Sequence, residues 1–196
     1  MTTVAVVSSI YGHDYDHFID DWYRALGQLD RPADEIILHR GQPDGPYPQA
    51  RLQNEAVASA ASDWIWQLNV DDEALPDALT GIDTVAADVW LMGYYWGDGR
   101  YYIPPVLPND VYLGLTTNPY PSMSAFRREA FGQVGGYPLI AHEDWGLWRR
   151  LARSGCTFES SGRGHSIYRR HPMQRSATEL LTGDTEMLLR EVMDDG

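Results

Sequence analysis

The chain contains no lysine, and all 15 of its basic residues are arginine. Coding bias toward GC-rich codons suffices to explain that usage, yet its chemical consequences hold. Schiff-base chemistry on a lysine amine is excluded, and any basic side chain that meets a phosphate is an arginine or a histidine. Cysteine is nearly absent as well. The single Cys156 excludes an internal disulfide and fits a reducing compartment. Long apolar runs are missing: Val4-Ala5-Val6-Val7 is far too short for a signal sequence, and no segment is long enough to span a bilayer. The expectation is a soluble, cytoplasmic protein. Positive charge is scarce, with 28 acids against 15 arginines and a net charge of -13. That balance excludes broad electrostatic attraction to nucleic acid or anionic lipid. Basic residues gather only late, in Arg163, His165, Arg169, Arg170, His171 and Arg175, a local patch that suits a phosphorylated ligand.

What is present fits one compact domain, because 196 residues with 43% hydrophobic side chains bury one substantial core. Val4 to Val7 reads as a short buried strand, followed by a loop from Ser8 to Gly12. Asp14 to Leu26 sets Phe18, Trp22 and Ala25-Leu26 at helical spacing, with aspartates near the start where the helix dipole favours them. Pro32 breaks the chain, and Glu35 to His39 forms a second strand. A Gly/Pro loop from Gly41 to Pro48 leads into a helix from Gln49 to Ala61, and Asp63 to Leu68 is the third strand. Pro76 introduces a helix at Asp77. Val89 to Trp96 is a fourth strand, turning at Gly97-Asp98-Gly99 and returning through Tyr101-Tyr102-Ile103. This alternation predicts an α/β fold with a mostly parallel central sheet flanked by helices.

The second half is mixed. The connection from Pro104 to Pro121 is too long for a simple loop and is expected to be ordered around a site. Short helices are expected from Arg127 to Gln133, closed by Gly135-Gly136, and from Glu143 to Ser154, stopped by Gly155. Phe158 and Ile167-Tyr168 mark short strands, and Thr178 to Met193 a terminal helix. The aromatic residues Trp90, Tyr94, Tyr95, Trp96, Tyr101, Tyr102, Tyr112 and Tyr120 fit either core positions or a wall on which a sugar stacks.

Two carboxylate clusters carry the chemistry. The third strand stops abruptly at Asn69-Val70-Asp71-Asp72-Glu73, and an apolar strand that ends in acids presents them at the carboxyl edge of a sheet, where open α/β folds bind ligands. His142-Glu143-Asp144-Trp145 then opens an amphipathic helix. One cluster has the oxygens to hold a divalent cation, and the other has the base to take a proton from a nucleophile. Each also fits a plain helix cap or turn. Together they point to an enzyme acting on a nucleotide-linked substrate.

In that order, these pieces resemble a family 2 glycosyltransferase with the GT-A fold, over Val4 to about Ser176. The loop Ser8 to Tyr11 matches the place where the family's first strand meets the nucleotide. Ala50-Arg51-Leu52-Gln53-Asn54-Glu55-Ala56 resembles its helix carrying an Arg and Asn beside the base and ribose, and Leu68-Asn69-Val70-Asp71-Asp72 its D-x-D segment. Ser124 to Phe131 with Val134-Gly135-Gly136-Tyr137 is the most distinctive stretch. Glu143-Asp144-Trp145 resembles the acid helix, and Tyr168-Arg169-Arg170-His171 the late strand and its histidine. The resemblance implies a single domain over residues 1–196. Within it, 1–97 is a nucleotide-sugar-binding half, 98–176 an acceptor and catalytic half, and 177–196 a terminal helix. It further implies a donor site formed by Ser8, Ser9, Tyr11, Arg51, Asn54, Asn69 and Asp71, and a manganese or magnesium ion on Asp71 and His171. Asp144 is the implied general base of an inverting transfer, with Glu143 orienting the acceptor or the base.

Two positions depart from the family pattern. Asn69 replaces its first D-x-D acid, and His39-Arg40-Gly41 stands where acids read the base, which counts against a uridine donor and leaves guanosine or thymidine open. The acceptor is not legible: a protein, a glycan, a lipid-linked sugar or a modified base in DNA all fit. An inactive nucleotide- or sugar-binding domain is the alternative that Asn69 keeps open. A nucleotidyltransferase is disfavoured because no Gly-rich, lysine-bearing segment faces a triphosphate.

Overall fold

The computed structural model describes residues 2–171, 190 and 192–194. Eight strands form one curled sheet, with strands β1 (Val4–Tyr11), β2 (Glu35–Gly41), β3 (Trp64–Gln67), β4 (Glu73–Ala74), β5 (Val89–Trp96), β6 (Tyr101–Tyr102), β7 (Ala125–Arg127) and β8 (Phe158–Tyr168). Helices α1 (Asp16–Leu26), α2 (Pro48–Ala58), α3 (Asn109–Leu113), α4 (Arg128–Gln133) and α5 (Glu143–Arg153) cover it. The strand order is β2-β1-β3-β7-β5-β8-β4, with β6 pairing on β5. The long ladders, β1 on β2, β1 on β3 and β5 on β8, are parallel, and β7 runs antiparallel between β3 and β5. The expected α/β class with a mostly parallel, helix-flanked sheet is the one observed.

Strand alternation divides the core between the two sheet faces. Val4, Val6, Trp64, Trp66, Trp90 and Met92 pack with Trp22 and Leu26 of α1 on one face. Ala5, Val7, Ile65, Val89 and Leu91 pack with α2, α4 and α5 on the other. Tyr112 and Tyr120 stack there with centroids 4.3 Å apart, so the connection from Pro104 to Pro121 is ordered around α3 and contributes to the core.

Several elements differ from the sequence expectations. β1 continues to Tyr11 instead of stopping at Val7, because parallel pairing with β2 persists as far as Tyr11 against Gly41. The helix expected from Asp77 is a series of turns. Ala78, Thr80 and Ile82 each bond back three residues rather than four, and Gly81 has a φ of 97°. The two short strands expected near Phe158 and Ile167 are one strand, whose Ser- and Gly-rich middle follows β5 through two register shifts. β7 and β4 are too short to leave a periodic signal in sequence. Most of the helix expected over Thr178–Met193, and Arg175, lie outside the described residues. Arg190 and residues 192–194 are helical, Val192 is buried against the α5 side of the core, and Arg153 donates to the Met193 carbonyl at 3.2 Å.

One clamp joins the first half to the second. The Asn54 amide on α2 donates to the Tyr137 carbonyl and accepts from the Tyr137 N–H, both at 2.9 Å. Gly136 makes that approach possible: its φ is 78°, and a Cβ there would lie 2.5 Å from Asn54 Oδ1. Arg150 of α5 donates to the Gly136 carbonyl at 3.1 Å. Gly146 of α5 lies so close to Pro138 that a Cβ would come within 2.3 Å of its ring. Asn54→Ala removes two part-buried hydrogen bonds and strands two backbone groups, so it should lower stability by about 1–3 kcal/mol. Urea unfolding checks this; an unchanged midpoint would show that the clamp carries no stability.

Candidate active site

β3 ends at Gln67 opposite Val7, with the Leu68 N–H bonded to the Val7 carbonyl at 3.0 Å, while β1 runs on along β2 to Tyr11. The chain then folds through Asn69 to Glu73, where β4 pairs antiparallel with the end of β8. That pairing brings in the residues after β8. His171 Nε2 lies 2.9 Å from Asp71 Oδ2, with both side chains largely buried. The rings of Tyr15 and Phe18 flank the imidazole at 5.9 and 5.0 Å. Arg169 pairs with Glu73 at 2.6 Å, and its backbone N–H donates to Asp72 Oδ1 at 3.2 Å.

Asp72 is 1% exposed. Burial first, then the adjacent Asp71 charge, pushes its carboxyl well above the usual range, against the pull of the Arg169 N–H and the Asn69 amide. Asn69 contributes that amide at 3.5 Å from Asp72 Oδ2.

The other expected site residues are distributed along the same edge. Ser8 is fully buried, and its hydroxyl has no hydrogen-bond partner among the described residues. Ser9 accepts from Gln49 of α2 at 3.1 Å, and Tyr11 is the half-buried last residue of β1. Arg51 reaches the loop after β2, donating to the Gln42 carbonyl at 2.8 Å and pairing with Asp44 and Glu55 at 3.0 Å each. Asn54 does not face this edge as a free amide, because both ends of its side chain are bonded to Tyr137. His39 pairs with Glu55, while Arg40 pairs with Asp16 and donates to the Gly12 carbonyl. The late basic residues do not form one patch. Arg163 pairs with Asp77, and His165 is fully buried between Ala78 and Trp90, where desolvation lowers its pKa to about 4.

Glu143 and Asp144 form the first turn of α5, Glu143 4% exposed and Asp144 partly exposed. Burial first, then the charges of Glu143 and Asp144, raises the Tyr137 hydroxyl well above its ordinary value. Sequence reasoning missed Gln49, Asp44 and Glu55 as edge residues. Asp44 was hidden in a Gly/Pro loop, and the helical register from Arg51 to Glu55 was the available signal for the pair.

Among the described residues, no group of three or more His, Cys, Asp or Glu side chains encloses a metal ion. Asp71 and His171 offer one oxygen and one nitrogen. A divalent cation that completes its coordination with phosphate oxygens and water needs only one or two protein ligands, and this donor pair fits that mode.

The fold is similar to those of solved glycosyltransferase structures. S. aureus TarS 1–349 in complex with UDP-GlcNAc matches with a TM-score of 0.67 at 14% identity, over 98% of this chain and 72% of that one. A Pyrobaculum calidifontis mannosyltransferase in complex with GDP-Man and Mn2+ matches at 0.66 and 15%, over 100% and 65%. The fold is GT-A-type. A mutant Drosophila β1,4-galactosyltransferase 7, in complex with manganese, UDP-Gal and xylobiose, matches at 0.61 and 15%, over 96% and 79%. Against a longer TarS chain, this chain spans 43% of the length. No family model matches the chain, and no curated protein matches it by sequence. No described helix is long and apolar enough to cross a membrane.

The Asp72 carboxyl binds its proton more tightly folded than unfolded, so its share of stability falls as pH rises above the ordinary value of 3.8. Asp72→Asn should therefore raise the thermal midpoint near pH 8 in chelator, with the gain vanishing below about pH 4. A midpoint lowered equally at both pH values would mean that the ionised carboxylate supports the fold.

Proposed function

We propose that the chain is an inverting glycosyltransferase that moves a sugar from a nucleotide-sugar donor to an acceptor hydroxyl. One observation carries the reading: Asp71 and His171, 100 residues apart in sequence, meet at the carboxyl edge of a GT-A-type sheet. The nucleotide ligands bound in its structural neighbours, UDP, UDP-GlcNAc, UDP-Gal and GDP-Man, support the general reaction, as does the manganese that accompanies two of them.

On this reading the nucleoside lies along Ser9, Tyr11 and Arg51, over the buried Ser8. Arg51 closes the far side through its contacts with Asp44 and Glu55, and Asn69 accepts from the ribose. Asn54 acts at one remove, by holding Tyr137. A manganese or magnesium ion on Asp71 and His171 supplies, when bound, positive charge against the diphosphate oxygens.

The acceptor oxygen attacks the anomeric carbon as Asp144 takes its proton. The bond from that carbon to the diphosphate oxygen breaks, and the nucleoside diphosphate leaves with the electron pair. Attack opposite the leaving group inverts the centre. Asp144 lies partly exposed in the first turn of α5, and Glu143 orients the acceptor or that base. A nucleotide- or sugar-binding domain without turnover is the second reading, motivated by Asn69 in place of an acid.

Incubation with a panel of sugar nucleotides and product analysis separates transfer or hydrolysis from binding alone, and calorimetry with uridine, guanosine and thymidine diphosphates reads the base preference. Asp144→Asn should keep nucleotide binding and lose transfer by about 100-fold or more. Near wild-type transfer by the folded variant would remove Asp144 from the mechanism. Asp71→Ala should abolish manganese- or magnesium-dependent turnover, and full activity of the wild type in excess chelator would overturn the metal assignment.

A further inference from the structure

The aromatic residues of β5, β6 and β8 fall into distinct groups. Trp90 is buried in the α1 side of the core. Tyr95 and Tyr101 pair with each other at 6.1 Å, and the Tyr95 ring lies over Gly164, where a Cβ would come within 2.2 Å of it. Tyr94, Trp96, Tyr102 and Tyr168 belong to neither core cluster, and all four are half-buried.

Register brings these four together. Tyr94 is opposite Tyr102 on β6, and Trp96 is opposite Tyr168 on β8. Directly paired residues on adjacent strands share a face, and residues two apart on one strand do too. Tyr94 is the hub, with ring centroids 5.0 Å from Trp96, 5.6 Å from Tyr102 and 5.6 Å from Tyr168. The surface is held in shape. Tyr102 donates its hydroxyl to the Pro119 carbonyl at 2.8 Å. Gly93 lets strands close in on both sides, since a Cβ there would lie 2.5 Å from the Tyr102 carbonyl and 2.6 Å from that of Arg163.

The surroundings limit what such a surface can take. Tyr168 immediately precedes Arg169, whose backbone N–H donates to Asp72 Oδ1 at 3.2 Å, so the aromatic surface borders the Asp71–Asp72 cluster. Arg100 lies over the Trp96 ring at 5.3 Å. A wholly apolar partner would desolvate the phenols, the carboxylate and the guanidinium without replacing their hydrogen bonds. A pyranose matches both halves of the surface. Its C–H face stacks on the rings, and its hydroxyls meet the phenols, the indole N–H and the charged rim.

We propose that Tyr94, Trp96, Tyr102 and Tyr168 form a saccharide-binding platform that seats a glycan acceptor beside the Asp71–Asp72 cluster. Naming the ligand an acceptor rests on the glycosyltransferase reading; the saccharide site itself does not.

The test is calorimetric titration of the full chain with soluble neutral disaccharides (xylobiose, chitobiose, cellobiose and maltose), with nucleoside diphosphate titrated separately. At least one disaccharide should bind, and Trp96→Ala should weaken it by about tenfold or more, the scale of one lost aromatic contact. Trp96→Phe should retain most of the affinity. Tyr101→Ala, on the opposite face of the same hairpin, should retain all of it, and nucleotide affinity should not change in any variant. Thermal melting confirms that each variant is folded. Failure of the wild type to bind any disaccharide overturns the platform, as does equal affinity in the wild type and Trp96→Ala. Binding of an apolar peptide or a short oligonucleotide in place of every disaccharide overturns it too. Disaccharide binding that depends on Trp96, in a protein that binds no nucleoside diphosphate, upholds the platform and sinks the glycosyltransferase reading.

Discussion

Two hydrogen bonds between the Asn54 side chain and the Tyr137 backbone hold the rest of the arrangement in register. Asn54 belongs to α2, and Tyr137 to the loop that leads into α5. An amide with one donor and one acceptor directed at one residue's backbone fixes orientation as well as distance. The neighbouring glycines are consequences of that contact. Gly136 must lack a side chain for the amide to reach, and Gly146 must lack one for α5 to close on Pro138. The Gly-Gly-Tyr stretch, read in sequence as a helix stop, is thus the joint between α2 and the segment before α5.

The architecture was legible in sequence wherever an element was long enough to show its period. β5, α1, α2 and α5 lie within a few residues of where apolar spacing and Gly or Pro punctuation put them. What failed was of two kinds. β4 and β7 span two and three residues, and such strands exist only because neighbouring strands recruit them. The continuation of β1 through Ser8 and Ser9 was hidden because hydroxyls in a strand look like a loop, although both serines are buried. The carboxyl edge itself was readable, since an apolar strand ending in acids announces it. The pairing of Asp71 with His171 was not derivable from spacing, because it depends on the antiparallel contact of β4 with β8. Asn54 shows the opposite case: its position beside the edge was foreseen, but the direction of its amide was not.

The acidic edge sets a balance between packing and charge. Asp71 and Asp72 are adjacent and mostly buried, an arrangement in which two free carboxylates repel. His171 lies against one, and a protonated form relieves the other. Asn69 at the head of the segment lowers the charge further while supplying a hydrogen-bond donor to Asp72. An acid at that position would add a third negative group to a site whose solvent is largely excluded. The replacement is therefore compatible with a stable empty edge, whichever ligand that edge takes.

β7 has a consequence for how the molecule opens. Among the described strands it is the sole hydrogen-bonded link between the β2-β1-β3 block and the β5-β8-β4 block, and it pairs through only three positions on one side and two on the other. Each block can form from its own parallel ladder, whereas β7 gains its bonds only when both edges are present, after the long intervening loop has closed. It behaves as a latch. Amide exchange at Ala125 and Phe126 then reports separation of the two blocks, and a rigid-body rotation between them would pivot on these few residues.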